Sequence, residues 1–174
     1  MVFKTGNNTP PHLFVPDWFY MLTGSIYKLQ PLMQSSNRKR EWADALFTAS
    51  ELYQWKIIAW VVLDNHYHTI LKSPTSSPND LPKFVASYHK FTAHLWNAQD
   101  NLSGRKVWWN YWDTCIRSQD DYQNRLRYIF WNPVRHGLVQ DPAEYPFCNY
   151  GDFMEEQWFP VVNIPVEVEN VPEF

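Results

Sequence analysis

Residues 55–72 read WKIIAWVVLDNHYHTILK, and this stretch limits the fold more than any other. Trp55 to Leu63 is a short apolar run of the kind found in a buried strand. Asp64-Asn65 is a turn pair, and His66 to Lys72 reads as the returning strand. A helical stretch stands on each side of this hairpin. Ser36 to Gln54 carries Trp42, Leu46, Ala49 and Tyr53 on one stripe, with Ser36 or Asn37 as cap. Leu81 to Ala98 carries Phe84, Tyr88, Phe91 and Leu95 in the same way. Farther out, Trp18 to Lys28 (WFYMLTGSIYK) and Val107 to Arg117 (VWWNYWDTCIR) are rich in aromatic and β-branched residues and read as strands. The order β-α-β-β-α-β predicts an α+β, ferredoxin-like sandwich. One further helix follows from Ser118 to Trp131, with Ser118 as cap and Asn132-Pro133 as its end.

A chain of 174 residues suits one domain with peripheral segments. The expected layout is an irregular arm over 1–17, a body over 18–140 and an acidic, proline-containing tail over 141–174. Charge divides along the same line. The first 140 residues hold 15 bases and 10 acids, 15 − 10 = +5, while the tail holds eight acids and no base, giving −8. The overall charge of −3 does not describe a simple nucleic-acid binder. Aromatic residues make up 18%, which serves a core or a surface that stacks on bases. Two cysteines without a CxxC pair exclude a zinc ribbon or a disulfide framework. No signal peptide or membrane-length apolar run is legible, so a cytoplasmic protein with no membrane role is expected.

Two small constellations carry chemistry. In His66-Tyr67-His68 the two imidazoles are two residues apart, so on a strand they share one face and could share one metal ion. Structural or surface histidines make the same pattern. In Tyr128-Ile129-Phe130-Trp131-Asn132 the tyrosine and the asparagine lie one helical turn apart, and Asp121 shares their face. Tyr122, Leu126, Ile129 and Phe130 form the apolar stripe, so Tyr128 sits off the buried side. A tyrosine there is a nucleophile or an ordinary rim residue.

Taken together, these residues resemble a known family. His66-Tyr67-His68 is similar to the HUH motif, in which a bulky apolar residue separates two histidines. Tyr128 with Asn132 resembles the tyrosine-helix motif of single-tyrosine transposases. The runs PPHLFVPDWFYMLTGSIY, LDNHYHTIL, WWNYWDTCIR and YIFWNPVRHGLV resemble the REP-associated tyrosine transposases over roughly residues 10–150. Two positions depart from the pattern. Asp64 stands where the family often has proline, and Tyr67 is a polar-tipped choice for the middle residue.

The resemblance implies a metal-dependent endonuclease and strand transferase that acts on single-stranded DNA beside palindromic hairpins. His66, His68 and Asn132 would hold a divalent ion, Mg²⁺ or Mn²⁺. Tyr128 would be the nucleophile, forming a 5′-phosphotyrosine, with His66 and His68 also counted as catalytic. No nucleotide cofactor is needed, and a monomer is preferred over a homodimer. Arg38, Lys39, Arg40, Lys83, Lys90, Arg105, Lys106 and Arg125 are the candidate DNA contacts, each also readable as a solvated surface charge. His136 reads as a structural turn residue, and His89 and His94 as helix-surface residues. Two alternatives stand beside this one. The first is a non-catalytic hairpin-binding protein of the same fold. The second is a metal hydrolase using water, in which Tyr128 would be dispensable.

Overall fold

A computed structural model describes residues 15–75 and 81–155. The strands are β1 (Phe19–Ile26), β2 (Lys56–Val62), β3 (His66–Lys72) and β4 (Trp108–Cys115). The helices are α1 (Ser36–Tyr53), α2 (Leu81–Gln99), α3 (Gln119–Arg135) and the short α4 (Tyr150–Glu155). The sheet runs β2-β3-β1-β4, with antiparallel neighbours throughout. This is the β-α-β-β-α-β arrangement expected from the hairpin between two helices, and the histidine strand β3 is central. The α1 cap is Ser35, one residue before the expected pair, and its side chain accepts from the Arg38 backbone N–H.

Strand alternation divides the core in two. Tyr20, Leu22, Ile26, Val62, Tyr67, Leu71 and Trp108 point to one face, where Trp42 and Leu46 of α1 and Phe84 and Tyr88 of α2 cover them. Met21, Ala59, Val61 and Ile70 point to the other face, beneath Tyr122, Leu126, Ile129 and Phe130 of α3. The apolar stripe expected on α3 is the buried one. On α2 the stripe departs from expectation at one position. Phe91 is exposed, and Thr92 and Trp96 are buried instead, because the chain follows the four-residue step from Tyr88.

The end of α3 is also a correction. The helix does not stop at Asn132-Pro133 but runs to Arg135 with Pro133 inside it. Its stop is Gly137, at φ +68°. The Gly137 N–H donates to the Val134 carbonyl and the Leu138 N–H to the Pro133 carbonyl, the pairing of a Schellman cap. Keeping Asn132 helical is what stacks it over Tyr128.

The start of the expected tail is docked. Tyr145 is buried and donates its hydroxyl to the Val62 carbonyl at 2.7 Å. Asn149 brackets the outer edge of β2, accepting from the Trp60 N–H at 2.8 Å and donating to the Ile58 carbonyl at 2.9 Å. The body therefore continues past residue 141, and β2 is not left as a bare edge. Most of the expected N-terminal arm and the tail beyond residue 155 lie outside the described residues.

Candidate active site

His66 and His68 project from β3 toward the α3 side, with ring centroids 5.0 Å apart. Each ring is held at Nδ1 by a neighbouring oxygen. His66 Nδ1 lies 2.6 Å from Asn65 Oδ1, and the Asn65 amide is itself oriented by donating to the Leu29 carbonyl at 3.1 Å. An amide oxygen only accepts, so Nδ1 of His66 carries the proton and Nε2 keeps its lone pair. His68 Nδ1 lies 2.7 Å from Thr23 Oγ1, across the β1–β3 pair that sets Thr23 opposite His68. Burial, then the neighbouring His136, lowers the His66 pKa below its ordinary value. Burial, then His66 and His136, brings His68 down to about 3. Both imidazoles are neutral at neutral pH, the form that ligates metal.

From the facing helix come Tyr128 and Asn132. The Tyr128 ring sits edge-on to His68, with centroids 5.0 Å apart. Asn132 is buried beside His66. Two buried polar atoms here, His68 Nε2 and Asn132 Oδ1, have no hydrogen-bond partner. A buried polar atom without a partner is costly, and two of them beside a second imidazole form a donor set fitted to a cation. Among the described residues no cluster of three or more His, Cys, Asp or Glu side chains could hold an ion.

The site opens into a cavity of about 470 Å³ lined by Met21, Thr23, His68, Trp112, Thr114, Asn124, Arg125 and Tyr128. Two residues not singled out from the sequence stand close by. The Arg135 guanidinium lies 5.2 Å from the Tyr128 ring centroid. It is seven residues on, two helical turns, so the helical spacing that paired Tyr128 with Asn132 also points to it. His136, read as a turn residue, is the C-cap of α3, and its ring lies 5.0 Å from that of His66. Thr23 had no signal in the sequence, because only the strand register brings it to His68.

The expected basic contacts separate into groups. Arg125 lines the cavity, held by Asp121 at 2.6 Å and touching Met21 Sδ at 3.4 Å. Lys106 lies at the β4 end, over the rings of Trp109 at 4.3 Å and Tyr27 at 5.0 Å. Arg38, Lys39, Arg40, Lys83 and Lys90 belong to α1 and α2, across the sheet from the histidines. Several of these charges have internal partners. Arg38 pairs with Asp100, and Arg105 pairs with the same carboxylate at 2.8 Å. Lys39 is buried and pairs with Asp64 at 2.6 Å, which accounts for an aspartate in the turn before the histidines. Arg40 is exposed and donates to Asn37, and Lys83 and Lys90 are exposed on α2.

His89 corrects a reading. It is not on the open helix surface but half-buried, stacked on Trp108 with centroids 4.2 Å apart. Its Nε2 lies 2.9 Å from the Tyr67 hydroxyl, which also shares a 2.7 Å hydrogen bond with Tyr88. Tyr67 fits between the two histidines because Gly24 faces it on β1. A Cβ there would lie 2.3 Å from the tyrosine ring. His94 is exposed, as expected.

Comparison with known proteins bears on the family and the fold. No family model matches the chain. A protein of Escherichia coli (strain K12) named REP-associated tyrosine transposase is 28% identical over 109 residues, 62% of this chain and 61% of that protein. A Haemophilus influenzae protein provisionally given the same name is 26% identical over 151 residues, 79% of this chain and 86% of that one. A solved structure of a REP-associated tyrosine transposase bound to a REP hairpin superposes with a TM-score of 0.73 at 20% identity, covering 97% of this chain and 95% of that one. The chain resembles the REP-associated tyrosine transposases in sequence and in fold. The match spans about three-fifths of the E. coli transposase. Among the described residues no helix is long and apolar enough to cross a membrane.

Proposed function

We propose that this protein is a metal-dependent endonuclease and strand transferase for single-stranded DNA beside a palindromic hairpin. The observation that supports this best is the meeting of the Tyr128 ring with His68, next to the unpartnered His68 Nε2 and Asn132 Oδ1. A rim tyrosine or a pair of structural histidines would not require those orphaned atoms. The likeness to transposases, one of them bound to a REP hairpin, supports the same substrate class.

His66, His68 and Asn132 would hold Mg²⁺ or Mn²⁺. Such an ion, when bound, polarises the scissile phosphate and offsets charge developing on it. Tyr128 Oη attacks phosphorus in line, the P–O3′ bond breaks, and the 3′ oxygen leaves as a hydroxyl after taking up a proton. The 5′ phosphate stays on the tyrosine. The 3′ hydroxyl of another strand reverses the step without ATP. Arg135, over the Tyr128 ring, offers its charge to the phosphate under attack, and Arg125 in the cavity wall offers a contact for a flanking phosphate. Thr23 and Asn65 keep the two imidazoles aimed. The protein would act as a monomer in the cytoplasm, without a nucleotide cofactor.

The test is a denaturing gel of the protein incubated with Mn²⁺ and a labelled hairpin carrying a single-stranded flank. The wild type should form a covalent adduct, and Tyr128→Phe should lose it while keeping hairpin affinity. An adduct on Tyr128→Phe would move the nucleophile elsewhere. Strand cleavage by Tyr128→Phe without an adduct would instead favour water as the nucleophile. Hairpin binding by the wild type with neither cleavage nor adduct would leave a binding module.

A further inference from the structure

Helix α3 covers only part of its face of the sheet. It packs mainly on β2 and β3 and reaches β1 at Met21, while β4 beside it carries large aromatic side chains that the described residues leave exposed. Trp112 is 55% exposed and Trp109 48% exposed. Their common orientation follows from the register. Thr23 pairs with Trp112 on the face that bears His68, which is paired with the same Thr23. Between Gly24 and Ile26 the ladder slips, so that β4 advances three residues, from Tyr111 to Trp108, while β1 advances two. The extra residue makes Trp109 and Asn110 together oppose Ser25, and Ser25 faces His66. The bulge thus places Trp109 on the same side as Trp112 and the histidines.

The charge on this strip is positive. Lys106 caps Trp109 and Tyr27, Lys28 lies 5.5 Å over Tyr27, and the Tyr27 and Trp109 rings are 5.1 Å apart. At the other end Trp112 enters the cavity with Tyr128, His68 and Arg125. We infer that this uncovered part of the sheet is a base-stacking track for the single-stranded flank of the hairpin, with Trp112 seating a base beside the reacting phosphate and Trp109 with Lys106 holding the strand farther out. Unpaired bases offer flat faces to indole rings, and their phosphates match the lysines and Arg125. A duplex hides its base faces and has no use for exposed indoles. An apolar protein partner would not call for lysines laid over the rings. Continuity with the cavity sets the strand running into the active site rather than past it.

The inference rests on the nuclease reading of the site, and one set of measurements separates the two. Three probes are used with Mg²⁺ on full-length protein: a blunt hairpin, the same hairpin with a single-stranded flank, and a short oligothymidylate. Trp112→Ala should weaken the flanked hairpin and the oligothymidylate roughly 5- to 100-fold, the worth of about one stacked base. It should leave the blunt hairpin unchanged, and Trp112→Phe should recover most of the loss. Trp109→Ala should cancel the affinity gained when the flank is lengthened. Wild-type affinity for the flanked hairpin in Trp112→Ala, an equal loss on the blunt hairpin, or no recovery by phenylalanine would each overturn the track, even with adduct formation intact. Flank-dependent binding without any wild-type adduct would overturn the nuclease reading and keep the track.

Discussion

His89 and His68 make the folded state sensitive to mild acid, and the sign follows from burial. Both lie well below the ordinary imidazole value of 6.5, at about 3, chiefly because burial disfavours the cation. Between pH 6.5 and about 3 the unfolded chain therefore binds protons that the folded chain refuses. Stability falls as pH drops through that window. The linkage slope is about 1.4 kcal/mol per pH unit for each group. From pH 6.5 down to 5 this amounts to about 2 kcal/mol for each histidine, or about 4 kcal/mol for the pair. With a urea slope of about 2 kcal/mol/M, the pair lowers the midpoint by about 2 M between pH 7 and pH 5, and His66, also held below its ordinary value, adds to the fall. Urea titrations in EDTA at both pH values measure this. His89→Gln keeps an acceptor for the Tyr67 hydroxyl but cannot titrate, so its midpoint should fall by about 1 M less than that of the wild type, whatever its stability at pH 7. An equal pH dependence in wild type and His89→Gln would refute the reasoning, because the proton uptake would then come from elsewhere.

Three further outcomes are expected. Gly24→Ala should cost roughly 3 kcal/mol in urea unfolding, since the new methyl meets a Tyr67 ring that Trp42, Tyr88 and Trp108 keep from moving. Thr23→Val should weaken Mn²⁺ binding by roughly tenfold or more in calorimetric titration, because His68 loses the oxygen that orients it. Arg135→Gln should slow adduct formation by roughly tenfold or more with little change in hairpin affinity, as a charge near the Tyr128 phenol acts on the reaction rather than on docking.

The element order and the two chemical constellations were legible along the chain because they rest on local spacing. Residues two apart on a strand share a face, and residues four apart on a helix share a turn. His66, His68, Tyr128 and Asn132 could be named as one set by resemblance before any fold was known. Arg135 was within reach of the same helical spacing. The departure at Tyr67 could not be explained that way, because its room comes from Gly24, 43 positions earlier and adjacent only through the register. Asp64 likewise gained its reason from Lys39 on another element.

The charged and aromatic residues show the division most sharply. Composition recorded many bases and an excess of rings without saying which were used up inside. Arg38, Lys39 and Arg105 turned out to be held by Asp100 and Asp64, and His89 by Tyr67 and Trp108, while Trp109 and Trp112 remained in the open. Local periodicity follows from backbone geometry that every residue shares, so a linear pattern suffices to read it. Ion pairing and burial depend on which distant segments the sheet brings within a few ångströms, and that is a property of the folded ladder.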